Sequence, residues 1–349
     1  MNRRRPILGI TMGDPAGVGP EIVAMALRRA KVHRLCRPLV VGDAAVMRRA
    51  MRTVGGGLEV RAIDDPAAAC FRQGVANVYD LRNVDLRRLK VGRVSAMTGQ
   101  AAFEAVRTVI ELALAGKVHA TVTAPIHKEA LHLAGHRFPG HTEIFAHYTR
   151  TADYAMMLAA GDFRVAHVST HVSLRQACDA VTRRRVLRVI GLAHDACRRL
   201  GIRRPRIGVA GLNPHASDGG LFGDEERRHI APAIAAARRK GIDADGPHPA
   251  DTLFPKAAAG AYDICVAMYH DQGHVPVKMR GFRYDARAGK WRDVRGINVS
   301  LGLPVIRVSV DHGTALDQAG KGTASDASML DAIEYAAKMA AGRPPVPQA

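Results

Sequence analysis

Apolar positions along the chain recur with two periods. Short continuous apolar runs, typical of strands buried on both faces of a parallel sheet, alternate with longer stretches whose apolar residues fall three and four apart, as on one face of a helix. Residues 6–11, 39–41, 119–123, 154–159, 165–170, 206–210, 264–269 and 305–310 read as strands. Helices are predicted over 21–29, 95–115, 182–200, 225–240 and 325–341, with Ser95 at one start and Gly116, Gly201 and Gly241 as stops. Strands separated by single helices predict parallel α/β sheets with right-handed crossovers. The break near Pro125 and the turn before Val305 mark crossings between two lobes: residues 1–126 with 305–349, and residues 127–304. Segment 283–295 (RYDARAGKWRDVR) is charged, has no apolar period and carries the only tryptophan, so it reads as an exposed loop. The Pro-rich stretch 342–349 reads as a frayed tail.

Composition narrows the class. With 349 residues, 47% hydrophobic and 24% charged, the chain has the make-up of a globular protein, and no apolar run is long enough for a membrane span. Five cysteines are scattered without CxxC spacing, which fits neither a disulfide framework nor a thiolate zinc site and predicts a reducing, cytoplasmic setting. A formal charge of +19 raises the question of nucleic acid. The basic residues are spread along the chain in pairs and triplets, and aromatics make up only 5%. Without clustered charge and stacking platforms, the field favours small anionic substrates over nucleic acid.

Three histidines change the picture. His171 follows VAHVST, His215 follows RIGVAGLNP and His270 follows ICVAMY, each at the end of a strand-like run in a turn-rich setting. Ligands of α/β sheets bind beyond the carboxyl ends of strands, and three imidazoles there could hold one divalent cation with a position open for substrate. Any one of them taken alone could equally be a satisfied buried histidine. His33, His119, His132 and His194 read as surface residues. Asp251 in HPADTLF and Asp271 beside His270 could ligate or orient a ligand. HExxH is absent, which weakens the metallopeptidase option.

Other segments carry polar chemistry. GDPAGVGPE places Gly17 and Gly19 between a strand and a helix, where backbone N–H groups could approach a phosphate; the plain alternative is a tight turn. Neither GxGxxG nor Walker A is present. PGHTEIF offers His141 and Thr142, although Thr142 alone reads as a helix N-cap. Lys128, Lys278, Asn298 and Arg307 sit near strand ends or in strands, where they could form an anion clamp.

GDPAGVGPEI, TAPIHKEAL, FPGHTEIF, GLNPHASDGG, PADTLF, AMYHDQGHVPVK and GINVSLGLPVIRVSVDHGTALDQAGKG, in this order, resemble the 4-hydroxythreonine-4-phosphate dehydrogenase family of vitamin B6 synthesis over residues 6–340. The resemblance implies two α/β/α lobes around a central cleft, like isocitrate and isopropylmalate dehydrogenases and unlike a Rossmann domain. It implies oxidation of a secondary alcohol of 4-phosphohydroxy-L-threonine and decarboxylation to an amino-ketone phosphate. It assigns one divalent metal (Zn, Mg, Co, Mn or Ni) to His171, His215 and His270, and substrate contacts to His141, Thr142, Lys278, Asn298 and Arg307. NAD, with NADP the alternative, would lie at Gly17, Gly19, His312, Gly313, Thr314 and Ala315, while Lys128, Asp251 and Asp271 are candidate catalytic groups. A homodimer is implied, with His171 and His215 from one chain and His270 from the other. Two features keep the substrate open. Paralogues act on four-carbon phosphorylated sugar acids or on the cis-dihydrodiol of an aromatic dicarboxylate, and in the family Gly281-Phe282 runs almost directly into Gly296-Ile297-Asn298, whereas residues 283–295 intervene here.

Overall fold

The computed structural model describes residues 5–342 except 288; most of the predicted tail falls outside that range. In chain order its strands are β1 (Ile7–Thr11), β2 (Arg37–Gly42), β3 (Glu59–Ile63), β4 (Val75–Asp80), β5 (Ala120–Thr123), β6 (Ala155–Ala160), β7 (Phe163–His167), β8 (Ile207–Ala210), β9 (Ala244–His248), β10 (Ile264–Ala267), β11 (Phe282–Asp285), β12 (Lys290–Val294), β13 (Ile297–Leu301) and β14 (Arg307–Val310). The chain divides into two compact units, residues 1–152 with 303–349 and residues 153–302.

The first unit holds strands in the order β3-β4-β2-β1-β5-β14, all parallel. Leu8, Ile10, Val40 and Val122 are fully buried, as strands covered on both faces require. β1 neighbours β2 on one side and β5 on the other, so the connections diverge at the carboxyl ends of β1 and β5, where ligands bind in such sheets. The division falls later than the expected crossing at residue 126. Helices Lys128–Leu133 and His141–Tyr148 pack on the Ala96–Leu114 helix of this unit. Gly99 makes that packing possible, because a Cβ there would stand 1.9 Å from the Ala130 carbonyl oxygen.

In the second unit the order is β13-β6-β7-β10-β8-β9. β6 pairs antiparallel with both β13 and β7, and β7, β10, β8 and β9 are parallel. Its core includes Leu158, Val165, Leu253, Cys265 and Val277. Segment 283–295, expected to be a loop, is instead most of an antiparallel hairpin: β11 and β12 form a two-stranded sheet of their own. Cross-strand pairing of Tyr284 with Trp291 supplies contact that a sequence without an apolar period does not advertise. His33, read as a surface residue, is buried, with its Nε2 2.7 Å from the Leu27 carbonyl oxygen.

Candidate active site

Within the first unit, polar groups gather beyond β1, β5 and β14. The turn after β1 is pinned by Asp14, whose amide donates to the Pro125 carbonyl (2.9 Å) and whose Oδ1 accepts from the Ala16 amide (2.8 Å). Burial raises the Asp14 pKa, partly offset by the Ala16 amide, the Thr98 hydroxyl and His127. Val18 donates to the Thr314 carbonyl (2.9 Å), and a Cβ on Gly17 would sit 2.9 Å from that same oxygen. Gly19 is equally constrained, with the Met12 carbonyl 2.5 Å from its would-be Cβ. Glu21, buried, accepts from the amides of Gly320 and Gly322. The structure thus brings Gly17 and Gly19 together with Thr314, while Gly313 and Ala315 are exposed and Ala315 takes φ +42°. His312 is half-buried, its Nδ1 2.9 Å from the Gly313 carbonyl, and burial lowers its pKa.

Arg307 starts β14 and is 3% exposed. Its guanidinium donates to Thr123 Oγ1 (3.3 and 3.1 Å) and Thr142 Oγ1 (3.3 Å) and lies 6.0 Å over the Phe145 ring. Burial pushes its pKa down to about 9, so it remains charged at neutral pH. His141 hydrogen-bonds to the Ala124 backbone, and its buried Nε2 has no hydrogen-bond partner among the described residues. Burial, then the Arg307 charge, holds its pKa well below the usual imidazole value, so the ring is neutral. Thr142 is not an N-cap: Gly140 takes that position, and the hydroxyl is left for Arg307. A buried guanidinium beside two hydroxyls and a neutral imidazole is a receptor for a compact anion. Lys128, at the first turn of its helix, is exposed.

The second unit carries the three histidines, none of them on a strand. β7 ends at His167, so His171 lies in the following loop, and His270 opens the His270–Gly281 helix after β10. Their rings are 5.8 Å apart and line an open cavity of about 600 Å³ with Thr170, Ser173, Tyr269 and Asp271. His215 lies in a turn where His215, Ala216, Ser217 and Asp218 all take positive φ, between 45° and 71°. Four consecutive non-glycine residues in that region store strain, which persists where surrounding contacts over-determine it. Just before this turn, buried Glu226 anchors the chain, accepting from the amides of Leu212 (2.7 Å) and Asn213 (2.8 Å) and from the Asn213 side chain (2.9 Å). Gln272 ties the β8 and β10 loops together, donating to the Gly211 carbonyl and accepting from the Met268 amide.

Two of these histidines have a carboxylate behind them. His215 Nδ1 is 3.0 Å from Asp218 Oδ2, and His270 Nδ1 is 2.6 Å from Asp271 Oδ1. That arrangement fixes the proton on Nδ1 and presents Nε2 to a ligand, the usual support for a metal-binding imidazole. The donor chemistry therefore fits a divalent cation, yet among the described residues no three His, Cys, Asp or Glu side chains converge on one point. Within one chain the His171 and His270 rings lie 5.8 Å apart. Behind His270, His274 stacks at 3.5 Å and 14°, and His167 follows 4.6 Å further on. Burial lowers His274 to about 4 and His167 to about 3. Asp251 is exposed on the Ala250–Ala258 helix, Lys278 is half-buried, and Asn298 lies on β13 opposite Leu158. Sequence reasoning missed Asp14, Glu21, Thr123, Glu226, His167 and His274; of these, Asp14 and Glu21 carried a signal, from their place in the Gly/Pro-rich segment GDPAGVGPE.

The model of the pyridoxal phosphate biosynthetic protein PdxA family matches residues 34–336. The chain belongs to this family. It is 46% identical over 339 residues to D-threonate 4-phosphate dehydrogenase of Cupriavidus necator, covering 97% of this chain and 98% of that one. It is 48% identical over 334 residues to 4-hydroxythreonine-4-phosphate dehydrogenase of Beijerinckia indica, covering 95% and 94%. A crystal structure of a 4-hydroxythreonine-4-phosphate dehydrogenase from Burkholderia phymatum superposes with a TM-score of 0.83 at 46% identity, covering 97% of this chain and 99% of that one. A PdxA-family dehydrogenase acting on a phosphorylated hydroxy acid is the activity these relatives support. Among the described residues no helix is long and apolar enough to cross a membrane.

Proposed function

We propose that this chain is an NAD- and divalent-metal-dependent dehydrogenase that oxidises D-threonate 4-phosphate at C3 and releases its carboxylate as CO2. The observation that carries the reading is the buried Arg307–Thr123–Thr142 cluster with His141 beside it, a receptor suited to the phosphate that such a substrate brings. The name of the Cupriavidus necator relative supplies the rest of the molecule. An aromatic dihydrodiol has no phosphate to offer that cluster.

Arg307 and Thr142 hold the phosphate, and neutral His141 adds a hydrogen bond without adding charge. Asp271 and Asp218 keep His270 and His215 in the tautomer that leaves Nε2 available. His171, His270 and His215 would hold a divalent cation, which would supply Lewis acidity for alcohol oxidation, and imidazole donors suit Zn, Co or Ni. Gly17 and residues 312–315 would hold NAD, which would supply the hydride acceptor. The C3 hydrogen leaves as hydride and the hydroxyl proton goes to a base. Asp271 is engaged with His270, which leaves Lys128 and Asp251 for that role. The resulting β-keto acid loses CO2 to give dihydroxyacetone phosphate. With 4-phosphohydroxy-L-threonine, favoured by the Beijerinckia indica relative, the same steps give an amino-ketone phosphate.

Assembly as an isologous homodimer completes the metal site. Exposed apolar side chains crowd the three histidine-bearing segments: Val172 and Leu174, then Leu221 (80% exposed) and Phe222, then Val275 and Met279 (79%). Apolar exposure on this scale marks a protein interface. Nicotinamide absorbance with D-threonate 4-phosphate, 4-phosphohydroxy-L-threonine and the dihydrodiol, each with a series of divalent metals, tests the reading. Fastest NADH formation with D-threonate 4-phosphate is expected; turnover only of an unphosphorylated diol would overturn it.

A further inference from the structure

The β11–β12 hairpin is fastened to the end of the His270–Gly281 helix. Arg295 donates its amide to the Gly281 carbonyl at 2.9 Å, and the strands meet so closely that a Cβ on Gly281 would lie 1.9 Å from the Arg295 oxygen. One turn earlier on the helix, the Lys278 ammonium stands 5.3 Å over the face of the Phe282 ring. The indole of Trp291 meets that ring edge-on, at 5.7 Å and 78°, and Tyr284 meets Trp291 at 5.2 Å and 67°. Lys278, Phe282, Trp291 and Tyr284 thus form one continuous row, with the lysine at one end. Tyr284 and Trp291 are each 57% exposed, and both come from the segment that intervenes between Phe282 and Gly296.

We infer that this hairpin is a positioning device for Lys278: Trp291 braces the Phe282 ring, and the ring face holds the lysine ammonium in one place for the anionic substrate. The inference rests on Lys278 being a substrate contact. Its physical basis is the cost of ordering a lysine. The side chain has a flexible four-carbon stem whose rotamer freedom is lost when the head group binds an anion. An ammonium within about 6 Å of an aromatic centroid is attracted to the ring face, so the stem is ordered before substrate arrives. The segment 283–295 therefore acts on substrate affinity although its aromatic residues need not touch the substrate.

Two readouts test this. Initial rates are measured for Phe282→Leu, Trp291→Leu, Phe282→Tyr and Lys278→Ala. Acetylation of Lys278 by acetic anhydride is followed by peptide mass spectrometry in the full chain, with Lys256 as internal reference. Phe282→Leu should raise substrate KM about two- to fivefold, the value of a partly exposed cation–π contact, and leave kcat within about twofold. Lys278 should become more reactive by a similar factor. Trp291→Leu, at an exposed site where folding is not at stake, should move both in the same direction, and Phe282→Tyr, which keeps the π face, should restore both. Unchanged Lys278 reactivity in both leucine variants overturns the inference. So does increased reactivity with unchanged KM. Lys278→Ala then locates the failure: if it too leaves KM unaltered, Lys278 is no substrate contact, and if it raises KM, the hairpin does not position it.

Discussion

Arg307→Lys separates a phosphate receptor from a structural arginine. The guanidinium is buried, and its described hydrogen bonds run to the Thr123 and Thr142 hydroxyls. A phosphate placed there receives two parallel charge-assisted bonds from the planar fork. Lysine keeps the charge but presents it as a point on a shorter effective reach, and it forfeits one of those bonds. A hydrogen bond to a charged group contributes about 1.5–3 kcal/mol, so substrate KM should rise roughly 10- to 150-fold at about 1.4 kcal/mol per tenfold. NAD affinity should stay within about twofold, because the proposed nucleotide residues at Gly17 and Thr314 are pinned to each other through the Val18 amide and not through Arg307. The assay pairs initial rates at varied substrate with NAD titration followed by fluorescence, on protein whose circular dichroism matches the parent. Unaltered substrate KM would remove Arg307 from the phosphate site. Equal losses for substrate and NAD would show that the arginine is structural.

Two further outcomes are expected. His167 is fully buried and its pKa is lowered to about 3, against about 6.5 when unfolded. Below pH 6.5 the unfolded chain takes up a proton that the folded chain refuses, so stability falls as pH falls, by about 1.4 kcal/mol per pH unit from this group. Urea denaturation of metal-free protein at pH 7.5 and 5.5 should show that extra loss in the parent and not in His167→Gln; identical pH dependence would contradict the burial argument. For assembly, inactive His215→Ala and His270→Ala chains, once exchanged, should regain about a quarter of parental activity, since half the dimers are mixed and one site in each is complete. A second mixture, His171→Ala with His215→Ala, recovers activity only if His171 and His215 come from different chains; together with recovery in the first mixture, that places His171 and His270 in the same chain, the arrangement that their 5.8 Å spacing favours. Absence of recovery in every mixture, with exchange verified, would place all three ligands in one chain.

The fully buried strands were legible because continuous apolar runs such as those of β1, β5 and β10 have few competing readings. β3 was not, since Glu59 and Arg61 alternate outward at a sheet edge and break the apolar run. The β11–β12 hairpin was missed for a different reason: its stability comes from cross-strand aromatic contacts, which leave no periodic trace. At the site, His171, His215 and His270 stood out by their turn-rich settings, but each lies beyond the strand end in a loop or helix start. Their carboxylate partners Asp218 and Asp271 are near in sequence and could be suspected. Glu226 could not, because it reaches the His215 turn from a π-helical turn eleven residues along. Thr123 and Arg307 are 184 residues apart and meet only because β5 and β14 are neighbours.

The central claim is tested most directly by the products of a complete reaction. Metal-loaded protein incubated with D-threonate 4-phosphate and NAD should yield NADH, CO2 and dihydroxyacetone phosphate in equal amounts. A chelator should abolish all three together, and added divalent metal should restore them. NADH without CO2 would contradict oxidation at C3, and a full reaction in the chelated protein would contradict the role given to His171, His215 and His270.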